Sequence, residues 1–481
     1  MLVTTASTPD KTATGIDLGR RDLTLDLARV FCVLLVVAIH LMFVGVGPDA
    51  SGGISVSRPL EQQPWFWAAT WVGQVMPLFF VVGGFASATS LRSLRRRVPD
   101  AGEAYRSFVH GRMQRLARPA LPLFVFLAVV LIGATLADVD PALLGSVAVG
   151  VGSPLWFLCA YLICQLLAPA LLDLHERAPR STVAVLLAAV VVVDVVQFSV
   201  DGVPVDAAGM SYLGYLNLLF VWPLVTVIGY WYADGWFARR SWWQLLGIAL
   251  LCWASLVPMT VLGPYSPNML TNLNPPTLPL VALGIGQAAL LQLLKPPLTA
   301  LMRTRPARAV VFVIGSRLMT VYLWHLPVIV TIAGIGLLIP GTPAPGSGVW
   351  WALRPVLYLV VLGLVLALSL PLGRFERALP VTRPATVSVL GAAAILTIVP
   401  TVGITVLGLD VWLASAGAVG FAIAVLLLRS GQNPKSPPKS AEPKSAEPKS
   451  VEPKSAEPAS AEPLSAAPAS AVSAPSDAVE S

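Results

Sequence analysis

The sequence predicts an all-α polytopic membrane protein with about twelve transmembrane helices and a disordered C-terminal tail. Three observations predict it. Hydrophobic residues make up 56% of the 481 residues and charged residues only 12%, about half the charge of a soluble domain. Apolar runs long enough to span a bilayer recur along the chain. Basic residues gather in alternate connecting segments, the pattern of the positive-inside rule. A soluble enzyme, a nucleic-acid-binding protein and a disordered scaffold all fit this composition poorly. The formal charge of +7 is no sign of a nucleic-acid partner, because its excess is arginine between apolar runs.

Residues 1–22 are polar, end in Arg20-Arg21 and lack a signal-peptide cleavage pattern. The first apolar segment therefore reads as an uncleaved anchor. Spans are predicted near 23–46, 65–88, 119–137, 154–172, 181–199, 211–232, 242–262, 277–294, 309–338, 350–371, 385–408 and 411–428. The ninth is long and contains Pro327, which predicts a kink or a tilt. From 89–118 onward, arginine-bearing connections alternate with connections that hold no base. Both termini are thus expected in the cytoplasm, with the chain multi-pass in the cell membrane. From Lys439 the unit Lys-Ser-Ala-Glu-Pro repeats, with one Val variant at Val451. Proline every fifth residue forbids a regular helix, and the segment has nothing apolar to bury.

Cys32, Cys159, Cys164 and Cys252 lie in apolar runs, and neither they nor the four histidines have metal-ligand spacing. No disulfide, metal or permanently bound cofactor is expected.

Ionisable groups inside a span are costly and are functional candidates by default. The first span carries Asp26, Arg29 and His40. Arg29 and His40 differ by about 20° around the helix and about 16 Å along it. Asp26 lies one turn from Arg29 and is placed to pair with it. The bland readings are a snorkelling pair at the span's end and a structural histidine. The segment Arg112-Met-Gln-Arg115-Leu-Ala-Arg118-Pro119 sets three guanidinium forks on one drifting helical face. Such a face suits phosphate, but positive-inside topology alone also produces basic segments. His325 lies in a late span about two turns beyond Arg317. Asp194, Gln197 and Asn217 read as hydrogen-bonding groups between helices.

Several of these residues sit in motifs. Leu25-Asp26-Leu27-Ala28-Arg29, ten residues and then His40 resembles the opening motif of the acyltransferase 3 family of integral membrane O-acyltransferases. Pro77-Leu78-Phe79-Phe80-Val81-Val82-Gly83-Gly84-Phe85 is similar to its second-span motif, departing at Gly83, where the family usually has serine. Arg112, Arg115, Arg118 and Pro119 resemble its Arg-x-x-Arg segment, Trp156-Phe157-Leu158 its central Trp-Phe-Leu, and Tyr322-Leu323-Trp324-His325 its late Tyr-Leu-Ile-His.

The resemblance implies a ten-helix acyltransferase core over 23–380 behind the cytoplasmic segment 1–22. Two additional helices over 381–430 and the tail over 431–481 would follow it. It implies transfer of an acyl group, often acetyl, from cytosolic acyl-CoA as co-substrate to a hydroxyl of a surface carbohydrate or glycolipid. His40 would be the general base or an acyl relay. Arg29, held by Asp26, would stabilise the donor or an oxyanion. Arg112, Arg115 and Arg118 would grip coenzyme A, and Arg317, Tyr322, His325 and Trp156 would form a possible second site. The rivals are a proton-coupled multi-pass transporter and a non-catalytic scaffold. No second copy of the Asp-x-x-Arg…His pattern occurs near the seventh span, which counts against the transporter. A scaffold leaves the buried charges unexplained.

Overall fold

The computed structural model describes residues 22–48, 53–200, 202, 204–205, 209–377 and 379–430. The proline-repeat tail and most of the N-terminal segment lie outside them. Helix α1 (Leu23–Phe43) opens on the Asp22 carboxylate, which accepts from the Thr24 amide at 3.1 Å. Strands β1 (Gly45–Pro48) and β2 (Ile54–Ser57) follow as an antiparallel hairpin with Gly45 opposite Ser57. Then come α2 (Phe66–Gly73), α3 (Met76–Arg97), α4 (Ala101–Leu136), α5 (Pro141–Gly152), α6 (Leu155–Arg177) and α7 (Pro179–Ser199). A 3-10 turn over Tyr212–Leu219 leads into α8 (Val221–Ala233). Helices α9 (Trp242–Val261), α10 (Pro279–Leu293), α11 (Lys295–Leu301), α12 (Arg305–Gly315) and α13 (Leu318–Leu337) continue the chain. The last three are α14 (Gly348–Glu376), α15 (Val387–Leu407) and α16 (Val411–Ser430).

Among the described residues, 11 helical runs are long and apolar enough to cross a membrane, or 12 if α10 and α11, bent by 59° at their junction, count as one. The protein is therefore an all-α, multi-pass membrane protein. Helices α1, α3, α6, α8, α10 and α13 pack together at the centre. Outer helices such as α9 and α14 expose Leu251, Val261, Leu359 and Leu370, as lipid-facing helices do. Helices α3 and α8 touch backbone to backbone. A Cβ at Gly84 would lie 2.1 Å from the Thr226 carbonyl oxygen, and one at Gly229 2.1 Å from that of Val81. Only glycine permits that approach. The departure at Gly83 has a steric reason too, because a Cβ there would meet the Tyr161 ring at 3.1 Å.

Two expectations change. The basic connection at 89–118 is mostly helix, because Asp100 caps α4 by accepting from the Gly102 amide at 2.8 Å. At 36 residues, α4 is about 54 Å long, so its arginine-bearing turns extend past a core of about 30 Å. The ninth span breaks at Ser316-Arg317, not at Pro327, which lies within α13. The Glu376 carboxylate at the end of α14 accepts from the amide and hydroxyl of Thr320 in the first turn of α13. That carboxylate, near Arg317, satisfies the new helix start.

Candidate active site

The first-helix histidine and the late histidine, 285 residues apart, meet in the middle of the bundle. His40 Nδ1 lies 3.0 Å from His325 Nε2, and the ring centroids are 5.0 Å apart. His325 is 1% exposed. Its Nδ1 lies 2.6 Å from the Tyr322 carbonyl oxygen. A carbonyl only accepts, so His325 carries its proton on Nδ1 and offers a lone pair at Nε2. That lone pair accepts from His40, whose proton is therefore also on Nδ1. Nε2 of His40 is left unprotonated while both rings are neutral. When it takes a proton, the resulting imidazolium still donates to His325.

The surrounding side chains fix this pair. The Tyr322 hydroxyl donates to the Pro154 carbonyl at the head of α6. Phe157 stands edge-on to Tyr322 at 4.8 Å, and Trp156 stacks on Trp222 at 5.3 Å. On α1 the Leu41 carbonyl, next to His40, accepts from Arg354 Nη1 at 3.3 Å.

His40 lies where two cavities meet. One, of about 280 Å³, is almost wholly apolar and is walled by α1, α2 and the segment around Leu270. The other, of about 390 Å³, is also mostly apolar but carries Ser57, Arg58, Ser146, Ser153 and Asn274 in its wall. His40, Trp156, Leu270 and Leu273 line both. The uncharged connection at 263–276 thus reaches the histidine. A small void of about 20 Å³, lined by Cys32, Val33, Phe79 and Met319, lies beside the apolar cavity and shares Val36, Met76, Phe157 and Tyr322 with it.

The predicted arginines divide into three kinds. Arg29 Nη2 donates to the Val82 carbonyl at 3.4 Å and Arg112 Nη2 to that of Ala86 at 3.3 Å, one turn apart on α3. Arg115 is exposed beside them. No ion pair among the described residues includes these three. Arg118 is different: it is 7% exposed and donates to the Arg377 and Arg374 carbonyls at 2.6 and 3.0 Å. Its fork caps the end of α14, and its burial leaves it little surface to offer a phosphate. Arg92 and Arg95 are neutralised by Glu176 at 2.8 and 2.6 Å, with Asp234 and Asp173 completing the network.

Two roles given to the first helix are corrected. Arg29 turns across to α3, where it donates to the Val82 carbonyl rather than to the Asp26 carboxylate. It also stands about 16 Å along the helix from His40, too far to touch an oxyanion formed there. Asp194 accepts from Gln197, Asn217, Tyr265 and the Leu278 amide at 2.7–2.9 Å. It ties α7 to α10, as the bland reading had it. Sequence reasoning missed Arg58, the hairpin and α5. Arg58 is an arginine in a connection on the side where the other connections hold no base, and that exception was the available signal.

Asp234 gives the network a pH dependence. Burial pushes its carboxyl up, but hydrogen bonds from His175 and Arg92 outweigh this and hold it below the ordinary value. A depressed folded pKa contributes stability above the unfolded value of roughly 3.9 and loses it as pH falls through the folded one. The melting temperature in detergent is therefore expected to drop on acidification below about pH 4. Asp234→Asn should flatten that acid limb. The carboxylate is 35% exposed, so solvent screening keeps the effect modest.

The sequence profile of the acyltransferase 3 family, described as an acyltransferase domain, matches residues 22–374. With the multi-pass helical fold, this defines an integral membrane acyltransferase. The chain belongs to the acyltransferase 3 family. No curated protein and no solved structure matches it. Helices α15 and α16 lie beyond the matched residues.

Proposed function

We propose that the protein moves an acyl group from cytosolic acyl-CoA to a hydroxyl of a surface carbohydrate or glycolipid, with His40 as general base. The observation that carries this is His40, held through Nδ1 by His325, at the junction of an apolar cavity and a second one that carries Ser57, Arg58, Ser146, Ser153 and Asn274. The donor enters from the arginine-rich end, which faces the cytoplasm with both chain termini, in the cell membrane. Arg29, Arg112 and Arg115 bind its phosphates, and that no ion pair among the described residues includes them supports that role. The thioester arm would follow α1 from the arginine end to His40. The acceptor hydroxyl lies in the second cavity, near Arg58, the serines and Asn274.

The acceptor oxygen attacks the thioester carbonyl carbon and gives its proton to Nε2 of His40. The carbon–sulfur bond breaks, and the histidine returns the proton to the leaving thiolate. An ester and free coenzyme A result. His325 is a positioning residue that fixes the tautomer and steadies the imidazolium, as an orienting partner does in a catalytic triad. With donor and acceptor in separate cavities at one ring, transfer needs no acyl-enzyme intermediate.

Coenzyme A binding to the detergent-purified full-length protein tests the donor site. Lysine satisfies topology as well as arginine does, but lacks the fork that grips phosphate. Arg112→Lys with Arg115→Lys should keep insertion unchanged and weaken binding about tenfold or more. Unchanged affinity would reduce the pair to a topology signal.

A further inference from the structure

The apolar cavity beside His40 is much larger than an acetyl group needs. At about 280 Å³ it is nearly twice an apolar cavity of about 150 Å³ that already holds benzene. An acetyl methyl would leave most of it empty. It shares Val36, Met76, Phe157 and Tyr322 with the small void beside Cys32, one turn from Arg29 on α1. Its walls beyond His40 are Ile39, Leu60, Phe66, Ala69, Gly73 and Leu270. A group carried on the donor thioester past His40 therefore enters an apolar chamber, while the serines, Arg58 and Asn274 lie in the other cavity.

The geometry points to a donor with an acyl chain several carbons longer than acetyl, lodged in this chamber, with Ala69 and Gly73 setting the length it accepts. This rests on the donor reading above. Ala69 and Gly73 lie four apart and so share one face of α2. Both are small and both line the cavity. A Cβ added at Gly73 would meet nothing within 4 Å, so a larger residue has space to enter. The transfer step itself is unchanged by chain length, because the tail lies on the far side of the thioester carbon from the acceptor.

The test is the affinity of the detergent-purified full-length protein for coenzyme A and for saturated acyl-CoAs from acetyl to decanoyl. Affinity should rise about fourfold per buried methylene and then level off once the chamber is full. Ala69→Phe and, separately, Gly73→Leu should end the rise several carbons sooner and leave acetyl-CoA affinity within about twofold. No rise beyond acetyl would overturn the inference, as would a rise that both variants leave unmoved. Absence of binding by coenzyme A itself would overturn the donor reading beneath it.

Discussion

Replacing His40 by alanine is expected to lower acyl transfer by about 10²–10⁴-fold, the usual share of a positioned general base. Helix α1 should survive the change, because alanine is the best helix former and the helix is held elsewhere. Asp22 caps it and pairs with Lys295 at 2.7 Å, Tyr358 donates to the Leu34 carbonyl at 3.0 Å, and Val37 and Leu41 are buried in the core. Membrane yield and melting temperature should therefore stay near the wild type while turnover falls. Loss in kcat with donor affinity intact would place the effect in the chemistry rather than in binding. Full turnover in the variant would remove His40 from the mechanism.

The second large effect is expected at His325. It accepts from His40 and donates to Tyr322, so its loss frees the His40 ring to turn and to shift its proton to Nε2. His325→Phe fills the space but cannot accept a hydrogen bond, and should cost about 10–100-fold in turnover, the scale of losing an orienting partner. His325→Gln retains an acceptor oxygen and should recover part of that loss. A structural role alone predicts that both variants fall together with stability. The positioning role predicts that they part, with kcat following the hydrogen bond and KM for the donor steady. Equal losses in the two variants, tracking melting temperature, would contradict it.

Much of the architecture was legible in the sequence for a simple physical reason. In a bilayer every backbone polar group must be satisfied internally, so long apolar runs can only be helices. All the predicted spans have helical counterparts. The breaks between helices were less legible. Pro327 looked like the weak point of the ninth span, yet the break lies at Arg317, where the remote carboxylate of Glu376 caps the new helix. Such a cap depends on a partner 56 residues away and leaves no local mark.

The site followed the same division. His40 and Arg29 could be placed on one helical face because helical geometry is local. The pairing of His40 with His325 could not be read, since nothing in either segment states that α1 and α13 lie side by side. The arginines show the limit most clearly. Arg112, Arg115 and Arg118 are equivalent by spacing, but α14 ends against Arg118 and buries it, while no ion pair among the described residues includes Arg112 or Arg115. Arg92 and Arg95 read as topology signals and prove to be the cations of an ion-pair network with Asp173, Glu176 and Asp234. Charge is visible in a sequence; whether it is already neutralised is a tertiary property.

The most direct measurement of the central claim is mass spectrometry of surface glycans and lipids from cells expressing either the wild-type protein or His40→Ala at matched membrane levels. The account predicts a hydroxyl-bearing carbohydrate or glycolipid that carries an ester-linked acyl group in wild-type cells and lacks it in the variant. The mass added reports the acyl chain directly. The same acylated product at the same abundance in both would contradict the assignment of His40 as the base.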